Sequence, residues 1–98
     1  MKLTKEKVVT IITEGLIENK LITDLKKLGV TGYTIEDVRG EGKHGLRNSD
    51  WDQSSSVRIQ IICDIELSER ITMFINEHYM KKYAMFVFKF DAEVLNGN

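Results

Sequence analysis

Two segments with helical spacing, each enclosed between strand-like segments, constrain this chain more than any single motif. In Val8-Val9-Thr10-Ile11-Ile12-Thr13, four of six residues are Val or Ile, which predicts a strand. Both parities are apolar, which predicts burial on both faces. Ile17, Leu21, Leu25 and Leu28 follow at steps of four, four and three, one stripe of a helix. Gly29 stands where a left-handed cap would end it. The β-formers of Thr31–Val38 predict a second strand, and Val57, Ile59, Ile61 and Cys63 alternate as a third. Leu67, Ile71, Phe74, Ile75 and His78 trace a second helical face, which predicts a half-buried structural histidine. Phe86, Phe88 and Phe90 alternate with Val87, Lys89 and Asp91 in a last strand, and this alternation predicts that the three phenylalanines are core.

The order is βαββαβ, the split-βαβ or ferredoxin-like arrangement of an α+β sandwich. It predicts a single domain over residues 1–98, with a four-stranded antiparallel sheet and two helices on one face. The second face stays uncovered. Ile62, Val87 and one parity of the first strand are expected there, and a symmetric oligomer is the simplest cover.

Composition narrows the function classes. A chain of 98 residues leaves little room for a closed catalytic cavity, and oligomerisation would supplement its small core. With 14 Lys+Arg against 15 Asp+Glu, the formal charge of −1 argues against a nucleic-acid binder. The lone Cys63 forms no intramolecular disulfide and fits a reducing cytoplasm as a small buried hydrophobe. The first seven residues lack the apolar core of a signal peptide, and no apolar run approaches the ~20 residues of a membrane span. There is no proline, hence no X-Pro bond to set a cis turn. Two histidines and one cysteine give no zinc signature, so no metal is expected. Glu36 and Asp37 are neighbours in a strand, point to opposite faces, and cannot form a catalytic carboxylate pair. No nucleophile–base set is legible, and the chain reads as a non-enzyme.

Residues 39–56 differ from the rest. They hold Gly40, Gly42, Gly45 and four serines, with almost no aliphatic side chains, and such a long loop in a compact domain is usually functional. Gly40-Glu41-Gly42 follows a strand, so its backbone N–H groups would face an anion without a Cβ in the way. Arg39, Lys43, His44 and Arg47 surround it, a combination that suits phosphate. By pattern alone, a hairpin loop with solvated charges fits as well. Trp51, between Asp50 and Asp52, is either an interface anchor or a ring folded back on its own subunit. His44 is either a phosphate contact or a solvated loop histidine.

Gly29-Val-Thr-Gly-Tyr-Thr-Ile-Glu-Asp-Val-Arg-Gly-Glu-Gly42 resembles the second-strand and loop signature of the PII signal-transduction proteins. The likeness extends over nearly the whole chain in element order. It is closest to the short PII-like group of SbtB-type regulators of bicarbonate transport and their carboxysome-associated relatives. Ile12-Thr13-Glu14, Lys82-Tyr83-Ala84 and Ala92-Glu93-Val94-Leu95 support it. The resemblance implies a homotrimer with its sheets facing a central axis and adenine-nucleotide sites in the clefts between subunits. Residues 39–56 would be the T-loop that contacts a target.

Position by position, the resemblance puts Thr34 near adenine or ribose, and the backbone of Gly40, Glu41 and Gly42 with Arg47 near the phosphates. Tyr83, Ala84 and Met85 would line the adenine side. Thr31, Gly32, Tyr33, Lys43 and His44 complete the nucleotide-binding set, and Asp50, Trp51 and Asp52 the partner-binding set. His44 stands where larger PII proteins carry a glutamine. Tyr79-Met80-Lys81-Lys82 stands where they carry Gly-Asp-Gly-Lys, the C-terminal arginine pair is missing, and the loop has no tyrosine for uridylylation. These departures favour AMP, ADP or cyclic AMP over tight ATP binding with 2-oxoglutarate. Bicarbonate is implied as a co-ligand by analogy, and a membrane transporter, met at its cytoplasmic face, as a target. The alternative is a CutA-like structural or metal-responsive trimer that binds no nucleotide.

Overall fold

Strand pairing realises the βαββαβ order in a computed structural model that describes residues 1–40 and 55–96. The elements are β1 (Lys2–Glu14), a single 3-10 turn (Gly15–Ile17), α1 (Glu18–Leu28), β2 (Thr34–Val38), β3 (Ser56–Cys63), α2 (Ile65–His78) and β4 (Met85–Asn96). The sheet order is β2-β3-β1-β4 and each pairing is antiparallel. β1 starts six residues before the predicted Val8. Lys2–Glu6 pair with Ala92–Asn96 alone, so β1 and β4 run past the end of β3 as a two-stranded ribbon. β2 starts at Thr34, not Thr31, because residues 31–33 make no ladder with β3.

Both helix ends are written locally. Gly29 adopts φ 116°, which a side chain rarely tolerates. Its N–H reaches the Lys26 carbonyl at 3.1 Å, and Val30 N–H reaches the Leu25 carbonyl at 3.1 Å, a Schellman closure. Asp64 caps α2 by accepting the Leu67 N–H at 2.8 Å. Gly15 makes a third local demand. A Cβ there would lie 2.5 Å from the Ser55 carbonyl oxygen, so only glycine allows the β1–α1 corner to meet the start of β3.

The helices cover one face of the sheet. Val9, Ile11, Val57, Ile59, Ile61 and Met85 point to Ile17, Leu21, Leu25, Ile71, Ile75 and Tyr79 in one buried cluster. The other face carries three cross-strand rows: Ile62–Val8–Phe90, Gln60–Thr10–Phe88 and Arg58–Ile12–Phe86. Ile62 lies on it as expected. The phenylalanines do not lie in the core: Phe86, Phe88 and Phe90 are 41%, 39% and 45% exposed, while Val87 packs against the covered cluster. The alternation was legible, but its phase was not. Large aromatic side chains bias a reading toward burial, whereas register hands the covered face to Met85, Val87 and Lys89. Val8 and Thr10 are nonetheless buried, shielded on the open side by the neighbouring rows. Glu36, opposite Arg58, accepts two hydrogen bonds from it at 2.7 and 3.0 Å at the border of this face.

His78 is exposed, with its ring 4.6 Å from Phe74, and is not the half-buried residue expected. The next residue, Tyr79, is the one that is fully buried. Its hydroxyl donates to Asp24 Oδ2 at 2.5 Å, and Lys20 Nζ donates to the same hydroxyl at 3.3 Å. Burial, and then the Asp24 carboxylate, push the Tyr79 phenol up to about 12. The Tyr79 hydrogen bond, with Lys20 and Lys27 nearby, holds Asp24 below the ordinary carboxylate value of 3.8.

Stability from this pair has two limits. Asp24's share is present above its unfolded value and lost as pH falls through its lowered folded value. Tyr79's share is present below the ordinary value of 10.0 and lost as pH rises toward about 12. Melting temperatures across pH should therefore fall on both sides, and Tyr79→Phe should flatten both falls relative to the parent chain.

Candidate functional site

The groove at the ribbon end of the sheet begins with the sequence after Gly29. The cap turns the chain so that Val30 enters the core while Thr31 and Gly32 stay exposed. Where β3 stops and the ribbon continues, a corner opens. It forms a groove of about 350 Å³ lined by Glu6, Val30, Thr31, Gly32, Ile61, Ile62, Cys63, Asp64, Leu67 and Val94. Its walls are apolar at Val30, Ile62, Leu67 and Val94, with carboxylates at Glu6 and Asp64 and no cation among these lining residues. Such a lining suits a flat, hydrogen-bonding ring better than a phosphate. Cys63 is half-buried here. Burial pushes its thiol up, and the Asp64 and Glu6 carboxylates push it further, so it stays protonated near neutrality and is no nucleophile.

The opposite end of the sheet gathers a second set of residues. Val38 pairs with Ser56, and Ser56 with Glu14, so Gly40 leaves β2 at this end. Met85 pairs with Thr13, which brings the α2–β4 segment to the same place. Thr13 Oγ1 donates to the Ala84 carbonyl at 2.8 Å. Tyr83 is half-buried with its ring 5.5 Å from that of Tyr79. Lys81 and Lys82 are exposed beside it. From Lys7, which pairs with Cys63, to Glu14, which pairs with Ser56, β1 advances roughly 23 Å at strand rise.

Comparison with known proteins decides the family. The family description "Nitrogen regulatory protein P-II" matches residues 6–95. This chain belongs to the P-II family. A PII-like signalling protein of Thermus thermophilus is similar at 37% identity and TM-score 0.81, with 97% of this chain and 94% of that one covered. CPII, a nitrogen regulatory PII-like protein of Thiomonas intermedia, matches in a complex with ADP, AMP and bicarbonate. That match has 26% identity and TM-score 0.80 over 97% of this chain and 98% of that one. CPII bound to ADP, AMP and acetate matches at 27% identity and TM-score 0.83 over 98% and 94%.

Within this P-II chain the expected nucleotide residues fall into two groups. Thr31 and Gly32 line the groove. Tyr33 is exposed beside it with Lys26 Nζ 5.8 Å from its ring centroid, and Thr34 opens β2 opposite Gln60. Gly40, Tyr83 and Ala84 stand at the far end. Met85 is fully buried there, so only its backbone is available to a ligand. Glu41, Gly42, Lys43, His44, Arg47, Asp50, Trp51 and Asp52 lie outside the described residues, as does most of the expected T-loop.

Sequence reasoning missed Glu6, Asp64 and Val94 at the groove. Asp64 was findable as a cap residue between a strand and a helical stripe. Glu6 and Val94 were not, because only the length of the β1–β4 ribbon brings them to the corner. Among the described residues no group of three or more His, Cys, Asp and Glu could hold a metal ion, and no helix is long and apolar enough to cross a membrane.

Proposed function

We propose that this P-II protein is a trimeric, non-enzymatic regulator that binds AMP or ADP in the clefts between subunits and answers with its 39–56 loop. One observation carries the reading. The expected nucleotide residues stand at two ends of one sheet, too far apart for one mononucleotide to bridge within a subunit. A site that uses both ends needs the groove of one subunit and the Gly40–Ala84 end of the next. The groove would take the adenine, and Gly40 to Gly42 with Arg47 the phosphates. An uncovered sheet face with three phenylalanines supports an assembly that brings such ends together. The Thiomonas relatives with ADP, AMP and bicarbonate support the ligand class and add bicarbonate as a co-ligand.

The mechanism is a population shift. Phosphate oxygens give the loop's guanidinium and backbone donors a partner in one loop conformation only, so occupancy changes that conformation's share. The loop, with Asp50, Trp51 and Asp52, then gains or loses a target. A transporter at the cytoplasmic face of a membrane is the target the resemblance favours.

Calorimetric titration with AMP, ADP, ATP and cyclic AMP, with and without bicarbonate, tests the reading. Saturable heat from AMP or ADP is expected, and silence from all four nucleotides at millimolar concentration overturns it. Arg47→Ala should weaken ADP more than AMP, by about tenfold, since a lost charge-assisted contact is worth roughly 1.5–3 kcal/mol. Equal affinity in the variant removes Arg47 from the phosphate site.

A further inference from the structure

The segment from Tyr79 to Ala84, part of the proposed cleft, is built between two tethers. Its far end is held by Thr13 Oγ1 on the Ala84 carbonyl at 2.8 Å. Its near end is held by Tyr79, whose carbonyl accepts the N–H groups of Lys82 and Tyr83, both at 3.0 Å. Tyr79 is itself fixed from α1. Its hydroxyl, inside the fold, donates to Asp24 Oδ2 at 2.5 Å, and Lys20 Nζ lies 4.7 Å from its ring centroid. Met80, Lys81 and Lys82 form the exposed crown of this arc, and the Tyr83 ring packs 5.5 Å from Tyr79.

The Asp24–Tyr79 bond is more than packing requires. A phenylalanine would fill the same apolar space, whereas a buried phenol needs partners, and this one donates to Asp24 and accepts from Lys20, both on α1. We propose that Asp24 and Tyr79 are a positioning pair. They set the height and turn of the 79–84 arc against the cleft, so a residue pair remote from the ligand governs nucleotide affinity. This rests on the cleft reading above. Neither side chain touches ligand: Asp24 acts through Tyr79, and Tyr79 through the backbone of Lys82 and Tyr83.

The test uses Tyr79→Phe, which removes only the hydroxyl, and Asp24→Ala, which removes its acceptor from the helix surface. Both should weaken AMP and ADP by about fivefold or more. Amide exchange at Lys82 and Tyr83 should quicken in both while that of Val9 and Ile61 in the sheet stays unchanged. Ile71→Val, a core trimming of comparable stability cost, should leave affinity and arc exchange as they were. If the parent chain binds AMP or ADP and both variants bind equally well, the positioning role is overturned. If Ile71→Val loses as much affinity as the pair, the effect is general loosening and the proposal fails. If the parent binds no nucleotide, the cleft reading fails, and the exchange of Lys82 and Tyr83 amides still decides whether Asp24 sets the arc. Should Tyr79→Phe not fold, Asp24→Ala carries the same comparisons.

Discussion

Phe88→Asp is expected to reduce the protein to single subunits, and to abolish nucleotide binding with the assembly. Phe88 stands between the other two open-face phenylalanines of β4, with ring centroids 5.4 Å from Phe86 and 6.2 Å from Phe90. Phe88 is 39% exposed, so covering the remainder contributes about 1 kcal/mol, and a closed trimer collects that gain in every copy. An aspartate in its place must instead be desolvated without a partner, which costs several kcal/mol per copy. The substitution leaves the helix-covered core untouched, because Phe88 faces away from it. Light scattering on an eluting column reads the result. A mass of three subunits for the parent and of one for the variant is the expected pair. A variant that keeps its three-subunit mass shows that another surface makes the contact.

Gly32→Leu should have the opposite profile: an intact assembly and a melting temperature near the parent's, with AMP and ADP affinity lowered at least tenfold. A Cβ at position 32 meets nothing within 4 Å, and its φ is not in the positive range, so the backbone accepts a side chain without strain. Gly32 also lines the groove, so an isobutyl group there competes for the volume a flat ring would fill. A groove of about 350 Å³ is at the small end for a ligand site and has little space to spare. Full affinity in Gly32→Leu would move the adenine elsewhere. The two variants separate assembly from recognition.

The fold was legible where local chemistry and periodicity agree. Gly29 ends α1 as the cap position demanded, and the stripe of Ile17, Leu21 and Leu25 faces the core. It was illegible where only the register of distant strands decides. The phenylalanines of β4 alternate whichever way they face, and their phase follows from pairing Phe88 with Thr10 and Met85 with Thr13. His78 and Tyr79 show the same limit at the end of a helix. One residue of rotation exchanges the exposed and the buried aromatic, and α2 ends between them. For the candidate site, the resemblance named Thr31, Gly32, Tyr83 and Ala84 as expectations, but that they stand at opposite ends of the sheet is a fact of pairing that the pattern does not carry. The Asp24–Tyr79 contact spans 55 positions and left no trace in the pattern.

Gly15 sets how closely the entry to β3 approaches the start of α1. Its missing Cβ lets the chain of Ser55 press against the first turn before α1, a contact that no side chain would permit. Any side chain at position 15 would therefore push Ser55, at the entry to β3, away from the turn that leads into α1, the helix that carries Lys20 and Asp24. Glycine at position 15 is thus what lets the entry to β3 and the start of the first helix share one corner.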